Sequence, residues 1–190
     1  MRVVTIYGGP RPMGNTATVL GWVEEALRSR GHAVERSDLA SLRIGGCSSC
    51  YACFASKTEP GCRVEDDANG IFDRMIAADA VVFASPLYMW GIAGPLKQFL
   101  DRTCCLVKDF QGPDYASLIA GKPAALIVTC LGPEANNADL VGPQFERWTR
   151  YAKLPSLGTW VVSGCSEPSE LGDETEREAV ELAAKLVATA

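Results

Sequence analysis

Histidine is nearly missing from this chain: His32 is the only one among 190 residues, so no histidine-based acid-base triad is readable in it. It falls in the turn before the second strand pattern and reads as a solvated turn residue. Clusters of lysine or arginine are missing too, and 18 basic against 23 acidic side chains leave a net charge of -5. That balance argues against nucleic-acid binding, whose non-specific affinity comes from phosphate neutralisation. The most apolar stretch, AADAVVFASPLYMWGIAGPL, is interrupted by Asp79, two prolines and small residues, and makes a poor membrane span. MRVVTIYGG has too short an apolar run for a secretory signal and is expected to form the first strand of a cytoplasmic protein. Repeats, low-complexity tracts and linkers are also missing. With 47% hydrophobic and 22% charged residues, one folded domain over residues 1–190 is expected.

What is present is an alternation. RVVTIYG, HAVERSDL, DAVVFAS, PAALIVTC and GTWVVSG are short, β-branched-rich runs that fit strands. Between the first two, Val19, Leu20, Val23, Ala26 and Leu27 share one helical face, and Gly31 stands where a C-cap glycine would. A second helix is expected from Ala68, Ile71, Phe72, Met75 and Ile76, capped by Asp66 or Asp67. GPLKQFLDRTCCLV reads as a third, Phe145, Trp148 and Ala152 mark a fourth with Pro143 in its first turn, and Glu176 to Val187 carries a fifth. The fold class is α/β: a doubly wound five-stranded parallel sheet of order 2-1-3-4-5 with helices on both faces. The one long irregular stretch, about residues 40–63, is cysteine-rich, and loops of that length are usually functional.

Such a sheet binds its ligand at the carboxyl ends of its strands. YGGPRPMGNTATV leaves the first strand and opens the first helix, yet it holds neither GxGxxG nor GxxxxGK[ST]. A dinucleotide fingerprint and a nucleoside-triphosphate loop are thereby excluded. An anion cradle of another type remains, with Arg11 as a charged fork, Asn15 and Thr16 as side-chain donors, and Gly14 admitting a close backbone approach; Gly9 and Met13 complete the turn. The plain alternative is that Asn15 or Thr16 only caps the helix. The turn after the third strand faces this one across the switch point. There Pro86, Leu87, Tyr88, Met89, Trp90 and Gly91 offer exposed peptide groups and a polarizable wall, although their large side chains also suit a core or an oligomer interface. A ligand with a phosphate at one end and a flat apolar ring at the other fits both turns: flavin mononucleotide (FMN).

Taken together, GPRPMGNT, GGCSSCYACFASKTEPGCRVEDD, ADAVVFASPLYMWGIAGPLKQFLDR and LIVTCLG resemble the NAD(P)H-dependent FMN reductases, nearest to the branch containing iron-sulfur flavoproteins. The resemblance implies a flavodoxin-like fold, FMN bound near a homodimer or homotetramer interface, and NAD(P)H as cosubstrate. It assigns phosphate binding to Arg11, Gly14, Asn15 and Thr16 and ring binding to residues 86–91, and brings Thr129, Leu131 and Gly132 near the ring. In that family the flavin performs the chemistry and the protein orients it, so no catalytic side chain is called for. The family commonly begins its phosphate loop with serine where this chain has Gly9.

Four of the eight cysteines, Cys47, Cys50, Cys53 and Cys62, fall in GGCSSCYACFASKTEPGC. A disulfide framework is not expected in a reducing cytoplasm. Their spacing suits a [4Fe-4S] cluster, although eight residues separate Cys53 from Cys62, a longer gap than in the iron-sulfur branch. Four thiolates also suit zinc. The third reading, which the residues favour, is free thiols lining a loop beside the flavin. Cys104, Cys105, Cys130 and Cys165 are expected to be buried small hydrophobes, with Cys130 near the flavin. Two functions follow: an FMN oxidoreductase that reduces a quinone, nitro compound or other soluble acceptor, or an electron carrier in which a cluster links FMN to a ferredoxin-like protein. A redox sensor without enzymatic activity ranks behind both, since only Lys57 and Arg63 bring positive charge to the loop.

Overall fold

The computed structural model describes residues 1–190. Five parallel strands form the central sheet: β1 (Arg2–Tyr7), β2 (Ala33–Asp38), β3 (Ala80–Tyr88), β4 (Ala124–Thr129) and β5 (Ser156–Val162). Their spatial order is β2-β1-β3-β4-β5, the expected 2-1-3-4-5, with Val4 opposite Glu35 on one side and Val81 on the other. Five helices connect them: α1 (Asn15–Arg28), α2 (Ala68–Ala77), α3 (Gly94–Arg102), α4 (Val141–Ala152) and α5 (Asp173–Thr189).

Alternation along the strands divides the core in two. Val4, Ile6, Val81, Phe83, Leu126 and Val128 pack with Phe72 of α2, Phe99 of α3 and Phe145 of α4. Their neighbours Val3, Val82, Ala84, Ala125 and Ile127 point the other way, against Leu20 and Val23 of α1 and Ala183 and Leu186 of α5. Both faces are covered, which is why β1, β3 and β4 read as nearly unbroken apolar runs. No helix is long and apolar enough to cross a membrane.

Three local differences from the expected elements shape the sites. The third helix does not continue to Val107: α3 stops at Arg102, and Thr103–Leu106 form a 3-10 turn leading into a short strand, Val107–Lys108, paired with Ala116–Ser117. The Thr103 hydroxyl donates to the Leu100 carbonyl and accepts from the Trp148 indole at 2.9 Å, which fixes the break. Secondly, Gly91–Ile92 turns back and pairs antiparallel with Leu87 and Tyr88, making a hairpin of the end of β3. Thirdly, β5 starts two residues before Gly158, whose φ of +84° accompanies a register irregularity against β4.

Candidate cofactor crevice and cysteine pocket

The carboxyl ends of β1, β3, β4 and β5 open onto a crevice of about 230 Å³. Its first wall is the turn between β1 and α1. Gly8 donates to the Ala84 carbonyl at 2.8 Å, tying this turn to β3 at its root. The Tyr7 hydroxyl donates to the Arg11 carbonyl at 2.6 Å, and a Cβ placed on Gly9 would overlap that hydroxyl. Glycine therefore stands at position 9 because the Tyr7 phenol fills the space. Burial raises the pKa of Tyr7, so the phenol stays protonated.

Gly14 caps α1, no acidic residue occupies the first turn, and Arg11 lies alongside. Free N–H groups at this helix end and the guanidinium thus stand side by side, groups of the kind that attract an anion. Asn15 and Thr16 are buried in the wall. The Asn15 amide donates to the Cys165 carbonyl at 3.0 Å while its Oδ1 has no partner, and the Thr16 hydroxyl meets the Thr129 hydroxyl at 2.6 Å. Asn15 and Thr16 thus join the phosphate-type turn to the ends of β4 and β5, which is more than helix capping.

The opposite wall is the hairpin. Pro86, Leu87 and Tyr88 line the crevice, with Thr129 and Leu131 from the end of β4. Met89 and Trp90 form the hairpin tip, with φ of +48° and +61°. Two left-handed central residues define the turn that ordinarily takes Asn-Gly, and holding bulky side chains there costs about 1–3 kcal/mol per residue. The Ser85 hydroxyl holds the hairpin base by accepting from the Ala93 N–H at 2.8 Å. Met89 is 84% exposed and Trp90 55%, so strain and exposure coincide at one overhang beside the crevice. Met13 is exposed at the tip of the first turn, and Gly9, Met13, Met89, Trp90, Gly91 and Gly132 do not line the crevice. Tyr7, Pro10, Cys165 and Ser166 line it although the sequence did not single them out; Cys165 and Ser166 follow β5, where the strand-end rule points. Burial raises the pKa of both Cys130 and Cys165, leaving them as thiols.

The cysteine loop makes a separate pocket of about 200 Å³. Cys47, Cys50, Cys53 and Cys62 all line it, and so do Cys104 and Cys105 from the turn after α3. Cys105 is a buried small residue as expected. Cys104 is not: it is half-buried and faces Cys47 and Cys53, because the helix break at Thr103 turns it toward the loop. Burial and those two neighbours push its pKa up. Cys50 is exposed, and the Ala52 N–H and Ser48 hydroxyl lower its pKa. The loop hangs on Arg102, a fully buried arginine that pairs with Asp66 at 2.7 Å and donates to the carbonyls of Gly45 and Val64 at the two ends of the loop. Burial alone would raise the Asp66 pKa; the Arg102 guanidinium and the Gly45 and Ala68 N–H groups outweigh it and hold the carboxyl below its ordinary value. Asp66, not Asp67, therefore supplies the side-chain acceptor at the start of α2.

A family model for NADPH-dependent FMN reductase matches residues 1–140. The chain belongs to the NADPH-dependent FMN reductase family. An iron-sulfur flavoprotein of Methanocaldococcus jannaschii is 34% identical over 111 residues, which are 58% of this chain and 56% of that protein. The match thus spans little more than half of that relative. An iron-sulfur flavoprotein of Archaeoglobus fulgidus is 28% identical over 186 residues, covering 98% of this chain and 79% of that one. In fold, the chain is similar to the FMN-dependent NADH-azoreductase of Bacillus anthracis solved in complex with FMN, with a TM-score of 0.73 at 15% identity over 98% of this chain and 99% of that chain. The flavodoxin-like architecture is the family's.

The crevice of this reductase-family chain fits FMN on its own terms. Its helix terminus and Arg11 suit a phosphate, the orphaned Asn15 Oδ1 suits a ribityl hydroxyl, and the hairpin wall suits a ring. The cysteine pocket has the donor chemistry of an iron-sulfur site. Among the chain's His, Cys, Asp and Glu side chains, no group of three is placed to hold a metal ion.

Proposed function

We propose that this protein is an FMN-dependent oxidoreductase that passes reducing equivalents from NAD(P)H to a quinone, nitro compound or other acceptor. The observation that carries this reading is the joining of the α1 N-terminus and Arg11 to an exposed, strained hairpin wall across one crevice. When bound, FMN supplies the ring that accepts hydride from a nicotinamide and returns electrons to the acceptor. The chain's residues do the rest. Arg11 and the N–H groups of Asn15 and Thr16 would hold the phosphate, with Gly14 admitting its close approach; Asn15 and Thr129 would hold the linking chain; Pro86, Leu87, Tyr88 and Leu131 would line the ring. Met89, Trp90 and Gly91 form the edge a nicotinamide passes over, with Gly9, Met13 and Gly132 shaping the loops behind. The exposed apolar tip also favours a homodimer or homotetramer in which this edge is shared, and a cytoplasmic setting suits eight reduced cysteines.

Anaerobic addition of NADH or NADPH to the flavin-loaded protein is expected to bleach the flavin absorbance, and an acceptor to restore it. Flavin that neither nucleotide bleaches would remove the oxidoreductase reading.

A second reading is favoured by the convergence of six thiols on one pocket: Cys47, Cys50, Cys53 and Cys62 hold a [4Fe-4S] cluster that exchanges electrons with FMN and a ferredoxin-like protein. Iron and acid-labile sulfide near four per chain in protein purified without oxygen support it; flavin with titratable thiols and no iron rejects it and leaves the oxidoreductase intact.

A further inference from the structure

Lys108 sits behind the cysteine pocket, 5% exposed. Its ammonium donates to the carbonyls of Cys53 and Pro60 at 3.2 and 3.3 Å, and no carboxylate lies within ion-pair distance. Burial lowers its pKa, and the ionisable groups that act against this shift are the thiols of Cys105, Cys53 and Cys104. A buried ammonium costs several kcal/mol unless an anion compensates it, and two carbonyl dipoles satisfy its hydrogen bonds without neutralising its charge. The contrast with Arg102 is direct. Arg102 lines the same pocket but has Asp66 as its counter-ion.

The unbalanced charge lies behind a pocket lined by six thiols. Several protonated thiols offer Lys108 nothing, and several bare thiolates would repel one another. Thiolates sharing their charge with iron resolve both difficulties and leave a net negative group beside the ammonium. Resting on the second reading above, we propose that Lys108 is the counter-cation of an anionic, thiolate-bound iron-sulfur cluster in this pocket, positioning the Cys53 segment through its carbonyl and raising the cluster's reduction potential. Adding one electron, from reduced flavin, makes such a group one unit more negative, so a nearby positive charge favours the reduced form.

The test uses full-length, FMN-loaded protein reconstituted without oxygen with ferrous iron and sulfide. It reads iron and sulfide content and the cluster's midpoint potential by dye-mediated titration. Lys108→Gln keeps an N–H donor for the carbonyls but removes the charge; it is expected to load the same iron and sulfide and to shift the midpoint to a more negative value. Lys108→Arg is expected to restore it. Ala116 lies opposite Lys108 on the paired short strand and is exposed, so Ala116→Glu places a carboxylate beside the ammonium without disturbing the pocket. It should shift the midpoint in the same direction, and it tests the charge should the glutamine chain not fold. A loaded Lys108→Gln or Ala116→Glu protein with the wild-type midpoint overturns the proposal and reduces Lys108 to a loop tether. Wild-type protein that binds FMN and is reduced by NAD(P)H but takes up no iron overturns it as well, while leaving the oxidoreductase reading in place.

Discussion

The crevice and the cysteine pocket lie in one fold but are held in different ways. The crevice is built at strand ends, where main-chain bonds such as Gly8 to Ala84 and Cys130 to Val162, at 2.8 and 3.0 Å, continue the sheet into the site. The cysteine loop has no ladder. Its shape depends on side chains reaching in from elsewhere: Arg102 and Asp66 at its ends, and Lys108 behind its middle. A site on a scaffold's own backbone resists single substitutions, whereas a site tied by a few buried charges has points at which one change releases it.

Arg102→Met should sharpen that contrast most. It strands the Asp66 carboxylate and frees the carbonyls of Gly45 and Val64, a loss of about 3–5 kcal/mol as for other broken buried pairs. Urea unfolding is expected to show the loss, and limited proteolysis to cut within residues 45–64 while flavin binding survives. Loss of flavin together with the loop would mean that the two regions are one unit.

Acid should act on the same tie. Because the folded-state pKa of Asp66 lies below its unfolded value, its contribution is fully present above about pH 4 and is lost as pH falls further, through the folded pKa. Proteolysis of the loop, followed by mass spectrometry against pH, should therefore accelerate on the acid side only, and an Asp66→Asn chain should show much less of that acceleration.

The smallest effect is expected in the crevice. Replacing Met89–Trp90 by Asn-Gly relieves two left-handed residues, offset in part by the backbone entropy that glycine loses on folding, and should raise stability by about 1–2 kcal/mol. Steady-state kinetics should show a higher KM for the nicotinamide in the same protein. Unchanged kinetics would mean that the strained tip serves assembly and not the crevice.

The strand order and the two-sided core were legible because apolar runs alternate with amphipathic helical patterns. Arg11, Gly14, Asn15, Thr16, Leu87, Tyr88 and Thr129 were also findable, since the switch-point rule turns their place in the chain into a place in space. Other features depend on contacts between distant segments. The reason for Gly9 is the Tyr7 ring, which no spacing rule reveals. Cys104 reads as a continuation of α3 because Cys104, Cys105, Leu106 and Val107 carry the helical pattern onward; the Trp148 bond to Thr103 that ends the helix comes from α4. The hairpin tip carries Met-Trp in place of the usual Asn-Gly signal, so the turn was marked by Pro86 and Gly91 but its handedness was not.

The claim on which the functional reading rests is that the β1–α1 turn binds a phosphate belonging to a flavin. Fluorescence titration of flavin-free protein with FMN and with riboflavin, which lacks the phosphate, tests it most directly. FMN is expected to bind at least about tenfold more tightly, and Arg11→Ala to remove most of that advantage while leaving riboflavin affinity unchanged, as loss of a charge-assisted bond of about 1.5–3 kcal/mol requires. Equal affinity for the two flavins, or an Arg11→Ala protein that still prefers FMN as strongly as the wild type, would contradict it.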